Sequence, residues 1–358
     1  MSQDYVHYDI IDAQEGRFAL LTLDNSSRLN AHTTKIVREM HEYLDQIAVD
    51  DSIQFVLIRG AGERAFCAGG DIRAVREDIL SATPERNDGW TFFTTEYHSV
   101  RRLRSYPKPI ISFAGGIVMG GGVGVMQASR YRIVTETTVF AMPESLIGLF
   151  ADVAIVYFLS LLPKPLGLFL ALTGAQLPPQ SVLNLNLADF SLPQAGFTDL
   201  IDTLKAGKWQ TENIDKRLNL SLRQLSRHHA VALGDDVTAD CLPIIQGLIN
   251  ADFEQTLANL RAYADEGTHA WVKQACANVA HCSLYSLALH WLYFTEYQPM
   301  SYHAASDTDF KLAKAQCHPN SDFVEGVRAR MVDKDYAPKW RWQTPADIDW
   351  AELRALFE

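Results

Sequence analysis

Two carboxylates, Glu144 and Asp152, stand in otherwise apolar sequence at the end of a stretch, Gly120 to Asp152, that opens on three consecutive glycines. Glu144 lies between Phe140-Ala141-Met142-Pro143 and Leu146-Ile147. A carboxyl desolvated by such neighbours is held above its ordinary pKa, which suits it to take or give a proton near neutral pH. A plainer reading competes with that one: a solvent-facing or helix-capping glutamate, because Pro-Glu often opens a helix. Asp152 comes just before an apolar run, where an N-cap of the following helix is the rival, although one carboxylate can both cap and touch substrate.

The glycines Gly120, Gly121 and Gly122 follow the apolar runs Ile110 to Phe113 and Ile117 to Met119 and precede Val123 to Ala128, which reads as a buried helix. The first amides of such a helix have no partner within it, so with the helix dipole they offer positive potential to an oxyanion. A tight strand-to-helix turn with close packing accounts for three glycines equally well. A dinucleotide fingerprint is excluded, since Val125 stands where a third glycine is needed. A second glycine turn, Phe66-Cys67-Ala68-Gly69-Gly70-Asp71-Ile72, follows the strand-like Phe55 to Ile58 and precedes a helix near Ile72. Two such turns can each aim one N–H at the same carbonyl oxygen, the arrangement that thioester and enolate chemistry requires.

AFCAGGDI, then KPIISFAGGIVMGGG, then FAMPESLIGLFAD resemble the crotonase (enoyl-CoA hydratase/isomerase) superfamily. MGGGVG, AMPE and IGLFAD, with Asp322-Phe323-Val324-Glu325-Gly326-Val327-Arg328-Ala329 and Asp333-Lys334-Asp335, resemble its 3-hydroxyisobutyryl-CoA hydrolase branch, in register over nearly the whole chain. The resemblance implies an α/β crotonase-like fold of repeated ββα units with a helical C-terminal region. It implies hydrolysis of a short-chain 3-hydroxyacyl-CoA, as in valine degradation, with CoA as part of the substrate and no separate cofactor. In that mechanism the amides of Gly70 and Gly121 hold the thioester carbonyl. Glu144 attacks it or activates water, and Asp152 orients the 3-hydroxyl or relays a proton. By the same resemblance Glu96, in its FFTTEY context, Arg28, Ala68 and Asp71 contact substrate, Arg28 being a candidate for a CoA phosphate; a solvated loop arginine is the alternative there.

Position 124 separates two reactions of the superfamily. The hydratase pattern GGGxE has a second glutamate on the helix after the glycines, and this chain has Gly124. One departure from the hydrolase branch stands out: its usual LFPDVGGGYF becomes Leu149-Phe150-Ala151-Asp152-Val153-Ala154-Ile155-Val156-Tyr157-Phe158. Bulk beside Asp152 either narrows the acyl site, shifts the helix start or fits a different acyl group. An isomerase or dehydratase using Glu144 as a proton shuttle, and a non-catalytic CoA-ester binder, are the competing functions. Serine-hydrolase chemistry has no GxSxG elbow to rest on.

The elements that must position these residues follow from hydrophobic period. Tyr5 to Ile11 and Phe18 to Leu23 read as strands, Ile36, Val37, Met40, Leu44 and Ile47 recur at helical spacing, and Phe55 to Ile58 reads as a buried strand. Ile72 to Tyr106 is mainly helical, carries Asp78, Glu85 and Asp88 with Trp90, Phe92 and Phe93, and suggests a lid or wall. Val153 to Leu162 reads as a buried helix, too short to span a bilayer. The expected organisation is an α/β core over residues 1–200, with the CoA-thioester site, and a helical region over 201–358 docked on it. Trp340, Trp342 and Trp350 are expected as packing anchors.

The chain's 358 residues, 47% hydrophobic, suffice for a large core, and a net charge of −11 without a basic stripe argues against nucleic-acid binding. Five scattered cysteines read as reduced thiols, and the 11 histidines show no zinc spacing, His228-His229 being expected as a solvated pair. The acidic, polar N-terminus is neither a signal nor an Arg-rich transit sequence, so cytoplasm is the default expectation. The superfamily implies a possible homo-oligomer.

Overall fold

The structure, a computed structural model, describes residues 5–81 and 88–358, and of Asp88 the backbone alone. Glu85 therefore lies outside the described residues. The strands are β1 (Val6–Asp12), β2 (Arg17–Leu23), β3 (Ile53–Gly60), β4 (Ala65–Cys67), β5 (Ile110–Ala114), β6 (Ile117–Met119), β7 (Tyr131–Val134), β8 (Val139–Ala141) and β9 (Phe190–Ser191). The helices that bear on the site are α1 (Thr34–Val49), α2 (Ile72–Ser81), α3 (Asp88–Arg104), α4 (Gly121–Ala128) and α5 (Ile155–Ser160). Further helices follow, and past residue 201 the described residues are helical or irregular, in keeping with the helical C-terminal region expected.

The chain divides into two compact units, each discontinuous in sequence. Residue 200, the boundary expected from the sequence, falls inside the first of them.

The first unit comprises residues 1–70, 98–140 and 177–236. Its six-stranded sheet runs β1-β2-β3-β5-β7-β9. β1 and β2 pair antiparallel, from Val6 opposite Leu23 to Asp12 opposite Arg17, and the remaining neighbours are parallel. A parallel sheet needs both faces covered, which is why β3 reads as an almost unbroken apolar run. Phe55 and Leu57 join a core with Phe18, Ile111, Trp209 and Leu222. Phe18 stacks on Phe55 at 4.9 Å, and Trp209 meets the Phe55 edge at 5.4 Å. Thr33 caps α1 by accepting from the Ile36 amide at 3.1 Å, and Lys108 Nζ donates to the Ile47 and Asp50 carbonyls at its other end. A short sheet, β4-β6-β8, stands apart from the large one.

The second unit comprises residues 71–97, 141–176 and 237–358. Its centre is the helix Leu284–Thr295, buried along nearly its whole length and mostly apolar all round, with Ser286 and His290 as buried polar exceptions. Ser283 caps it by accepting from the Ser286 amide, and the Ser283 amide in turn donates to the Ser145 carbonyl at 3.0 Å. Ser145 thus lies against the start of this helix.

Candidate active site

In the first unit the two glycine turns meet. α4 starts at Gly121, with Gly120 at its N-cap in a conformation (φ 49, ψ −123) open only to glycine. The first bond within α4 runs from the Gly124 amide to the Gly120 carbonyl, so the amides of residues 121–123 have no acceptor in the helix. A Cβ on Gly122 would fall 2.2 Å from the Cys67 carbonyl oxygen, and this contact seats α4 directly on β4. A Cβ on Gly69, at φ +102, would lie 3.8 Å from the Gly121 nitrogen, which brings the Ala68-Gly69-Gly70 turn alongside the start of α4.

That turn is strapped from its other side by residues 25–32. The Ala68 amide donates to the Leu29 carbonyl at 3.1 Å, and the His32 amide to the Gly69 carbonyl at 2.8 Å. Buried Asn30 spans to the Ala61 and Ala65 carbonyls, and Leu29 and Asn30 adopt left-handed angles to make the bend. Arg28 ends this short turn with its residue exposed. Cys67 is buried.

In the second unit three carboxylates foreseen in the sequence come together with a tyrosine that was not. Glu144 opens the 3-10 turn Glu144–Ile147 and is 6% exposed. It is therefore not solvent-facing, and its Oε2 is buried with no protein partner among the described residues. Asp152 is 5% exposed and accepts a hydrogen bond from Tyr97 Oη at 2.7 Å. The capping reading of Asp152 does not hold for its side chain: α5 starts only at Ile155, and its N-cap, Ala154, makes no side-chain cap bond. Val153 and Ala154 lie at φ 51 and 58, so the residues beside Asp152 turn through left-handed angles and the helix expected from Val153 is shorter. Ile155 and Val156 place their bulk in the core.

Glu96 and Tyr97 are adjacent on α3, and both are buried. Phe93 and Phe310 contact the Tyr97 ring at 5.8 and 5.4 Å, and Phe93 reaches Phe323 at 5.7 Å. Phe93 of α3 and Phe310 of the helix Tyr302–Gln316 thus pack the Tyr97 ring. Asp71 is buried at the start of α2, where its carbonyl accepts from the Val75 amide.

Burial first, and then the charges of Asp152 and Glu96, push the Glu144 carboxyl well above the usual carboxylate range. Burial, with the charge of Glu96, raises Asp152 to about 7, and the Tyr97 hydrogen bond opposes that rise. Near neutral pH this cluster holds protons that ordinary carboxylates would have lost, so it can donate as well as accept.

Two further groups fall outside the sequence reading. Asp309 Oδ2 accepts from the Ala154 amide at 2.6 Å, while Tyr293 Oη reaches Asp309 Oδ1 at 3.1 Å. His290 contacts Ser145 and Ala151, the neighbours of Glu144 and Asp152. Tyr97 has a signal, since it directly follows Glu96 in FFTTEY; His290 lies on a helix whose apolar pattern says only that it is buried, and nothing around Asp309 in sequence marks it. No group of three or more metal-ligating side chains occurs among the described residues, and no helix there is long and apolar enough to cross a membrane.

Comparison with known proteins shows the family and fold of the chain. The chain is 35% identical over 346 residues to a protein of Danio rerio named 3-hydroxyisobutyryl-CoA hydrolase, mitochondrial, covering 95% of this chain and 87% of that one. It is 30% identical over 354 residues to 3-hydroxyisobutyryl-CoA hydrolase 1 of Arabidopsis thaliana, covering 98% and 91%. Among solved structures, a carnitinyl-CoA dehydratase from Mycobacterium thermoresistibile matches at TM-score 0.83 and 31% identity, over 99% of this chain and 97% of the other. An enoyl-CoA hydratase from Rhodobacter sphaeroides matches at 0.81 and 29%, with the same coverage. The crotonase fold expected from the sequence is the fold of the chain. The enoyl-CoA hydratase/isomerase family model matches residues 18–357, and the chain belongs to that family.

Proposed function

We propose that this protein hydrolyses the thioester of a short-chain 3-hydroxyacyl-CoA, with 3-hydroxyisobutyryl-CoA as the expected substrate, to free acid and CoA, as a step of valine degradation. The observation that carries this reading is the state of Glu144: a buried carboxyl with one oxygen unpartnered, in a chain whose position 124 is glycine. Addition of water to a double bond by two glutamates lacks its second group, whereas acyl transfer needs only one carboxylate at the carbonyl carbon. The relatives named as hydrolases support the same choice.

In this mechanism the amides of Gly70 and Gly121 receive the thioester oxygen and stabilise the charge that develops there. Glu144 acts in its ionised form, which its raised pKa leaves as the minor state near neutral pH: it either attacks the carbonyl carbon and expels the CoA thiolate, leaving an anhydride that water opens, or takes a proton from the attacking water. Asp152, poised near 7, returns a proton to the leaving thiolate or holds the 3-hydroxyl. Glu96, Arg28, Ala68 and Asp71 are assigned to substrate contact on the resemblance alone.

Release of free thiol from 3-hydroxyisobutyryl-CoA, 3-hydroxypropionyl-CoA and crotonyl-CoA, with wild type beside Glu144→Gln, tests the proposal. Thiol release that the variant loses supports it. Hydration or isomerisation of crotonyl-CoA without thiol release favours a reaction like those the two solved structures are named for. We propose a cytoplasmic location, in contrast to the Danio rerio relative, which is named as mitochondrial, and fractionation of the source cells tests it.

A further inference from the structure

One buried imidazole touches both ends of the segment that carries Glu144 and Asp152. His290, in the middle of the helix Leu284–Thr295, has no exposed surface. Its Nε2 lies 2.7 Å from the Ala151 amide nitrogen, and its Nδ1 lies 3.1 Å from Ser145 Oγ. These contacts fix the tautomer. An amide N–H only donates, so Nε2 is the bare, accepting nitrogen and a neutral ring carries its hydrogen on Nδ1. Nδ1–H then donates to Ser145 Oγ, which passes its own hydrogen to the Ala171 carbonyl at 3.1 Å. Burial holds the imidazole down to about 3, so the ring is neutral wherever the protein works.

We propose that His290 is a positioning residue, a neutral brace that fixes the residue after Glu144 and the residue before Asp152 and so sets the spacing of the two carboxyls. The proposal rests on the reading of Glu144 and Asp152 as the reacting pair. The segment between them is a 3-10 turn and an irregular stretch, and such backbone has no ladder to hold it. Its other flank is held in the same way, through the Ala154 amide on Asp309. Ala151 gives the brace its particular form here. The proline that the resemblance leads one to expect at this position has no N–H to donate; with alanine the chain gains the donor that Nε2 accepts. The departure from the family's pattern beside Asp152 is thus the origin of a contact.

The test uses the full chain and the ester it turns over. His290→Leu removes both ends of the brace, and Ala151→Pro removes one end while leaving the imidazole in place. Assayed well below their melting midpoints, His290→Leu is expected to lose about ten- to a hundredfold in kcat with KM nearly unchanged. His290→Gln, which keeps an acceptor near the Nε2 position, is expected to recover part of that loss. His290→Leu and Ala151→Pro together should cost less than the product of their separate losses, because they break the same contact. A folded His290→Leu with wild-type kcat, or losses that multiply, overturns the proposal.

If His290→Leu does not fold, Ala151→Pro and the 15N spectrum of wild-type His290 decide it: a bare Nε2 and a protonated Nδ1 from pH 6 to 8, with a lowered kcat in Ala151→Pro, support the brace. An Nε2–H tautomer or an imidazolium overturns it. If wild type releases no thiol from any ester, the functional reading falls separately. The brace is then judged by the 13C titration of Asp152, whose midpoint moves in Ala151→Pro if the brace sets its placement and stays if it does not.

Discussion

Tyr97 donates its phenolic hydrogen to Asp152 Oδ2 across 2.7 Å, joining residues 55 positions apart in the chain. The bond favours the ionised carboxylate and so works against burial and the charge of Glu96, which together raise Asp152. Tyr97→Phe removes that opposition. The limb of the pH–rate profile governed by Asp152 is therefore expected to move to higher pH, by about two units at most, since a hydrogen bond to a charged group is worth roughly 1.5–3 kcal/mol. Thiol release followed from pH 5 to 9 in both proteins checks this. A limb that stays in place, or moves to lower pH, would separate Tyr97 from the chemistry.

Glu144→Gln keeps the shape of the side chain and removes its ability to attack or to accept a proton. Turnover should fall by about a thousandfold or more, while binding of a CoA ester, measured by calorimetry, changes by only a few fold. Retained turnover would remove Glu144 from the mechanism.

What the sequence made legible, and what it hid, divides by the range of the contacts. β3, α1 and α4 are plain from local pattern, because each has one dominant period or one run of apolar residues. Glu144 and Asp152 stand out because a charge among apolar neighbours is rare enough to need a reason. His290 and Asp309 do not stand out. Each contacts the residues 144–154 only through folding of a distant helix, at separations of 139 to 155 residues, and nothing near them in sequence marks that partner. α5 starts later than its pattern suggests for a related reason: the period of Val153 to Leu162 is helical, but Val153 and Ala154 take left-handed angles, with the Ala154 amide donating to Asp309.

Keeping Asp152 buried costs stability, and the sign of its pH dependence can be worked out. Its pKa rises from 3.8 in the unfolded chain to about 7 in the fold. Below pH 3.8 both states hold the proton and there is no penalty. Between 3.8 and about 7 the unfolded state has released it and the folded state retains it, so stability falls as pH rises, and above 7 the deficit is complete. Asp152→Asn removes the deficit, and its gain should be larger at pH 8 than at pH 5, up to about 4 kcal/mol by the size of the shift. Melting curves at the two pH values decide it; an equal gain, or a larger one at pH 5, would mean that Asp152 titrates as an ordinary carboxylate.

Gly326 tests how the Glu144 turn is held from behind. The residue lies in the helix Asp322–Val327, where alanine for glycine would ordinarily gain about 1 kcal/mol from helix propensity. A Cβ there, however, would fall 2.4 Å from the carbonyl carbon and oxygen of Ile147, and a Cβ on Gly148 would meet the Asp322 carbonyl oxygen at 2.2 Å. The Ile147 atoms are backbone of the turn that begins at Glu144, and neither they nor the Asp322 carbonyl can swing aside as a side-chain tip can. Overpacking of this kind typically costs 1–3 kcal/mol, roughly, which exceeds the propensity gain. Gly326→Ala is therefore expected to lower the melting temperature and to reduce kcat, because the turn must retreat and carries Glu144 with it. Gly247→Ala, in the helix Leu242–Leu248 with nothing within 4 Å of its Cβ, is the control and should stabilise the protein with kcat unchanged. If the two substitutions behaved alike, the close approach of Gly326 to Ile147 would have no bearing on the placement of Glu144.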